Sequence, residues 1–167
     1  MRARCFVAVE APPGLVGQLG GLERPARAGL RWTEPHQWHV TLCFVGSAEP
    51  DRVVAALPPE LPGPVEALAG PRPVALSRHV WALPVSGLDL LASTVADRLS
   101  ELMPPPARPF RGHLTLARAR RPAALDGLPR PDLTWRWDVG SVVAYRSELH
   151  PSGARYHELG RWAVARR

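Results

Sequence analysis

The chain contains no lysine, no asparagine and no isoleucine, and only two cysteines. All 21 of its basic residues are therefore arginine, a bias that most simply reflects GC-rich coding DNA. Two cysteines cannot build a disulfide framework or a zinc quartet. Cys5 and Cys43 both sit in apolar, strand-like runs, so they are expected to be reduced core thiols of a cytoplasmic protein. No stretch approaches the ~18 uninterrupted apolar residues that a spanning helix requires. The opening Met1-Arg2-Ala3-Arg4 runs straight into a strand pattern and lacks a long apolar signal core, so no membrane partner is expected. What remains is a hydrophobic share of 46% in 167 residues, enough for one domain or two small lobes with a core that needs no staples. The net charge of +6 attracts phosphates, and arginine offers them bidentate contacts. By itself that charge does not distinguish a nucleic-acid partner from an ordinary solvated basic surface.

The strongest signal is a repeated wording. Trp38-His39-Val40-Thr41-Leu42-Cys43-Phe44-Val45-Gly46 and Gly112-His113-Leu114-Thr115-Leu116-Ala117-Arg118 each carry His-x-Thr-Leu in a period-2 apolar run, a strand pattern. On a strand, residues i and i+2 share a face. His39 therefore stands beside Thr41, and His113 beside Thr115. With 6 His, 5 Thr and 22 Leu in the chain, chance supplies roughly 0.02 such motifs, so two copies are a signal rather than noise.

Around these strands the chain reads as short elements. Strands are expected at 3–10, 30–33, 38–45, 65–69, 74–76, 80–85, 111–117, 133–137, 139–146 and 155–164. Helices are expected at 12–24, 50–57 and 88–102, with one helical turn at 123–128. Several neighbouring strands have connections too short for crossover helices. The reading is an α+β protein of two similar lobes, each mainly antiparallel with helices outside. The motif strands are placed at the centre of each sheet, facing one another across a cleft. Trp81, Trp135, Trp137 and Trp162 are expected in the core, while Trp32 and Trp38 flank the first motif.

Two imidazoles and two hydroxyls converging on a basic cleft suit phosphoester chemistry without a metal. In-line displacement needs a base on the entering oxygen and an acid on the leaving one, on opposite sides of the phosphorus. Histidine titrates near neutrality and can serve as either. The Thr41 and Thr115 hydroxyls can donate to non-bridging oxygens. Alternation puts Arg111 on the face of His113 and leaves Arg118 opposite unless the strand ends or bulges. Phe44 also falls off the motif face by strict alternation, and a strand end near Gly46 would turn it inward to stack on a base. No Asp, Glu or Cys lies at a ligand-like spacing on either motif face, which disfavours a two-histidine metal site. No cofactor is expected.

These residues resemble the signature of the two-histidine (2H) phosphoesterase superfamily. Arg2 to Glu10, Arg31-Trp32-Thr33-Glu34-Pro35, Phe44-Val45-Gly46, Phe110 to Arg118, and Val143 to Leu149 with Gly153, Tyr156 and Leu159 resemble the bacterial RNA 2′,3′-cyclic phosphodiesterases, also called 2′-5′ RNA ligases. The resemblance covers nearly the whole chain. It departs at His36, where a small polar residue is usual, at Gly112, where proline is usual, and near Arg72-Pro73, which lacks an aromatic. It implies a single two-lobed domain, acting as a monomer, with an active cleft between pseudo-symmetric lobes. It further implies metal-independent hydrolysis of RNA or nucleotide 2′,3′-cyclic phosphate ends to 2′-phosphates. By that analogy His39 protonates the leaving 3′-oxygen and His113 activates water. Thr41 and Thr115 hold the phosphate, Arg118 is the basic residue after the second motif, and Phe44 stacks on the base. Joining of tRNA halves through 2′-5′ bonds is the alternative activity. A non-catalytic module that grips RNA ends is the alternative outside enzymology.

Overall fold

The chain alternates short strands with three helices, and the computed structural model describes all 167 residues. The strands are β1 (Ala3–Glu10), β2 (Leu30–Trp32), β3 (His39–Ala48), β4 (Glu60–Leu61), β5 (Glu66–Ala69), β6 (Val74–Ser77), β7 (Val80–Ser86), β8 (His113–Ala119), β9 (Trp135–Asp138), β10 (Ser141–Glu148) and β11 (Arg155–Val164). The helices are α1 (Pro13–Gly20), α2 (Pro50–Ala56) and α3 (Asp89–Arg98). The spacing predicts α1 as far as Arg24. It stops at Gly20-Gly21, since glycine costs about 1 kcal/mol per helical position relative to alanine. The α3 stripe Leu88, Leu91, Val95 and Leu99 is fully buried, as its helical spacing requires. None of the helices is long and apolar enough to cross a membrane.

The strands form two antiparallel half-sheets of the same design. One runs β11-β10-β1-β3 and the other β9-β5-β7-β8, with β4 parallel on the outer edge of β11 and β2 and β6 added to β8 and β7. A pseudo-twofold axis relates β1 to β7 and β3 to β8. It passes through the pair Val40↔Leu114, which joins the halves. Those two residues occupy the same place in their motifs, the x of His-x-Thr-Leu. Each motif strand is thus the innermost strand of its half and pairs with the other, rather than lying at a sheet centre. The lobes are also not successive halves of the chain. The first is built from β1, β3, β4 and then, after some 80 residues, β10 and β11, while the second takes the middle of the chain plus β2.

One face of the first half-sheet is dry. Cys5, Val7 and Val9 of β1 are at most 2% exposed, with α2 packing against β1 and α3 against β3. The alternate residues Arg4, Phe6, Ala8 and Glu10 point to the other face, toward the cleft. Cys5 and Cys43 are both buried and unpaired, and burial pushes the Cys43 thiol up to about 11. Trp81, Trp162 and Trp38 are buried. Trp135 and Trp137 are only half-buried, because β9 is a sheet edge.

Candidate active site

The antiparallel pair Val40↔Leu114, continued by one residue, sets His39 across from Thr115 and Thr41 across from His113. Each imidazole thus has one motif hydroxyl beside it on its own strand and the other facing it. All four side chains line one cleft of about 500 Å³.

Both rings are anchored in the same way. His113 donates from Nδ1 to the Arg111 carbonyl, two residues back, at 2.7 Å. His39 likewise bonds the backbone of Gln37, two residues back. This leaves each Nε2 for chemistry. The Nε2 of His39 lies 3.0 Å from Thr41 Oγ1, whose hydroxyl donates to it in the neutral ring. Backbone support comes from Thr33: its hydroxyl donates to the Thr115 carbonyl at 2.8 Å and accepts from Trp38 Nε1 at 2.9 Å. The half-buried positions of β8 are thereby tied to the segment that precedes β3.

The two imidazoles differ in their surroundings. His39 stacks on Phe6 at 5.0 Å and meets the edge of Tyr156 at 5.3 Å, with Tyr145 completing the aromatic box. Burial among these rings lowers its pKa to about 4. The Gln37 carbonyl and Glu10 oppose that shift, while the charges of His113 and Arg118 reinforce it. Glu10 pairs with His39 across β1 and β3, but its carboxylate is engaged elsewhere. It accepts from Arg161 at 2.8 Å and from the Tyr145 hydroxyl at 2.7 Å, and the Arg161 bonds hold it below the usual carboxylate range. At neutral pH His39 is therefore an unprotonated imidazole.

Arg118 and Phe44 reach the cleft by a device that strict alternation does not contain. The β1–β3 register runs Phe6↔Phe44, Val7↔Cys43 and then Ala8↔Thr41, so Leu42 is an extra, bulged residue. The β7–β8 register runs Trp81↔Ala117 and then Ala82↔Thr115, so Leu116 is bulged in the same way. Each bulge falls on the leucine of His-x-Thr-Leu and reverses the facing of the residues that follow, until in β3 a second bulge at Val45 reverses it again. The fifth residue from each histidine is thus brought back to the catalytic face. Phe44 and Arg118 are pseudo-symmetry equivalents, one aromatic and 61% exposed, the other cationic, and both line the cleft.

Arg111 does not join them. Strand β8 begins at His113 rather than at Arg111, so alternation cannot be carried back to it. Its exposed side chain is absent from the cleft lining, and its contribution is the backbone carbonyl under His113. Gly112 explains the break. A Cβ there would lie 2.2 Å from the Val85 carbonyl oxygen, so the strand must approach β7 through a residue without a side chain.

Sequence reasoning did not single out Phe6, Tyr145 and Tyr156 as site residues, nor Arg4 and Arg31. The aromatic rings look like ordinary strand residues until the pairings Phe6↔Tyr145 and Ser147↔Tyr156 bring them around His39. No group of three His, Cys, Asp or Glu side chains is gathered to hold a metal ion.

Comparison with known proteins agrees with this geometry. A family model described as LigT-like phosphoesterase matches residues 9–72, a span that includes the first motif and ends before the second. An RNA 2′,3′-cyclic phosphodiesterase of Thermus thermophilus is 28% identical over 180 residues, covering 96% of this chain and 90% of that protein. The crystal structure of TT0787 from the same organism superposes with a TM-score of 0.82 at 28% identity, covering 96% of this chain and 97% of that one. E. coli LigT complexed with 3′-AMP superposes with a TM-score of 0.78 at 26% identity over 99% of this chain and 100% of that one.

Proposed function

We propose, for a chain whose sequence and fold are those of a LigT-like phosphoesterase, that it is a hydrolase opening RNA 2′,3′-cyclic phosphate ends to 2′-phosphates by two-histidine acid-base catalysis without a metal. The observation that carries this reading is the pseudo-symmetric pair His39-Thr41 and His113-Thr115, set across one another in a single cleft. The name of the Thermus relative and the 3′-AMP bound to E. coli LigT support the substrate class.

In this reading the cyclic phosphate lies between the two Nε2 atoms. The Thr41 and Thr115 hydroxyls donate to its non-bridging oxygens, Arg118 neutralises the charge that builds there, and Phe44 stacks on the terminal base. Water adds to phosphorus as the bond to the 3′-oxygen breaks. One imidazole takes the water proton and the other gives a proton to the 3′-oxygen, so that charge is conserved. Burial favours the neutral ring of His39, which suits it to receive the water proton. His113 is then the donor, the reverse of the roles that family resemblance implies. Every group needed comes from one chain, so a monomer is complete. All 167 residues act as one two-lobed domain, and the two free thiols fit the reducing cytoplasm.

The reading is tested with nucleoside 2′,3′-cyclic phosphates in EDTA. Steady turnover to the 2′-phosphate is expected, and its absence with substrate bound would leave only an RNA-end-binding module. Incubation with tRNA halves separates hydrolysis from end joining. The pH dependence of kcat/KM is expected to be bell-shaped whichever histidine is the acid, because the one shared proton can sit on either ring. The limb contributed by His39 is expected near pH 4, with activity rising through that point.

A further inference from the structure

The cleft holds more positive charge than one phosphate requires. Three arginines line it, Arg4 from β1, Arg31 from β2 and Arg118 from β8, and none of the three forms a salt bridge. No Asp or Glu is among the lining residues. Arg31 stands directly opposite Arg118 across the β2–β8 pair. Like charges so placed repel and weaken the sheet, a cost that anions bound to each of them reduce. The guanidinium of Arg31 also packs on the backbone of the β10–β11 loop: a Cβ at Gly153 would lie 2.4 Å from its Nη2. That loop is held in place by Gln37 Nε2, which donates to the Ala154 carbonyl at 3.2 Å. Arg4 lies two residues along β1 from Phe6, on the same face, and lines the cleft with it. Tyr156 lines the same cleft, and the charges of Arg118 and Arg4 both act on its hydroxyl.

Resting on the function proposed above, we infer that Arg4 and Arg31 form a second anion subsite, which holds the phosphate on the 5′-oxygen of the reacting nucleotide. The ligand is a nucleotide bearing two phosphates, one cyclic on O2′ and O3′ and one on O5′. The second phosphate is supplied either by the next link of an RNA chain or by a free 5′-phosphomonoester. Arg118, next to the catalytic pair, serves the reacting phosphate, which leaves Arg4 and Arg31 for its neighbour. Arginine suits both positions, since its fork presents paired donors to two phosphate oxygens.

Three substrates compared by kcat/KM test the subsite: adenosine 2′,3′-cyclic phosphate with a free 5′-hydroxyl, its 5′-phosphorylated form, and the dinucleotide ApA 2′,3′-cyclic phosphate. The 5′-hydroxyl substrate is expected to be poorer than at least one of the others by about 10- to 100-fold, the scale of one or two charge-assisted contacts. Arg4→Ala and Arg31→Ala should each collapse that ratio, whereas Arg98→Ala, at an exposed position of α3, should preserve it. An advantage shared by both longer substrates identifies any 5′-phosphate as the ligand. An advantage confined to the dinucleotide identifies the chain phosphodiester. Equal kcat/KM for all three, or a ratio untouched in both variants, overturns the subsite while leaving the phosphodiesterase reading intact. No turnover of any substrate overturns that reading instead.

Discussion

Replacing either His39 or His113 by alanine is expected to lower turnover of a nucleoside 2′,3′-cyclic phosphate by about 10²–10⁴-fold, the usual effect of losing one proton-transfer group. The double variant should lose little beyond the worse single, because acid and base act in one event and removing either already disables the step. Neither substitution should unfold the protein. Both side chains lie on the cleft face, outside the dry core. His39→Ala opens a small gap in the box formed by Phe6, Tyr145 and Tyr156, so a thermal melt should accompany the kinetics. A variant that melts like the parent yet turns over at the parental rate would remove that histidine from the mechanism.

Leu114→Ala should be the most damaging change to stability outside the chemistry. Leu114 is fully buried, lies at the x position of the second motif and pairs with Val40 where the two half-sheets meet. Truncating a buried leucine costs about 2–5 kcal/mol, more where the site cannot collapse. At this chain length each kcal/mol lowers Tm by about 2–4 °C. Here the cavity would open on the pseudo-twofold axis, under all four motif side chains, so kcat should fall with stability even at temperatures where the variant is folded. Denaturant titration of Leu114→Ala beside Leu128→Ala, another buried leucine outside both motif strands, tests both parts. A loss of stability in Leu114→Ala with unchanged kcat would show that the junction does not position the histidines.

Much of this was legible in the residues. The extent of β1 follows from its apolar run, and the duplicated motif named the four central side chains. What alternation could not show is the pair of bulges. Leu42 and Leu116 look like any inward-facing leucine, and only the pairing with β1 and β7 reveals that each is supernumerary. Phe44 and Arg118 therefore fell on the wrong face by parity, and the resemblance alone placed them in the cleft. Arg111 failed for the opposite reason: parity was extended past Gly112, where the strand had not begun. Arg4, Arg31 and Tyr156 escaped because no local pattern marks them. They meet only through strand pairings between residues far apart in the chain.

The interleaving of the chain through its lobes has a practical outcome. The first half-sheet needs both ends of the polypeptide, since β10 closes on β1 while β3 lies on its other side. Cutting the gene between the two motifs would therefore not release a self-sufficient half-enzyme. The amino-terminal fragment would carry β1 with one flank bare, an invitation to aggregate. The carboxy-terminal fragment would carry β10 and β11 paired with each other but without β1 to close on. Activity is expected to return only when both pieces are co-expressed and reassemble as a split protein.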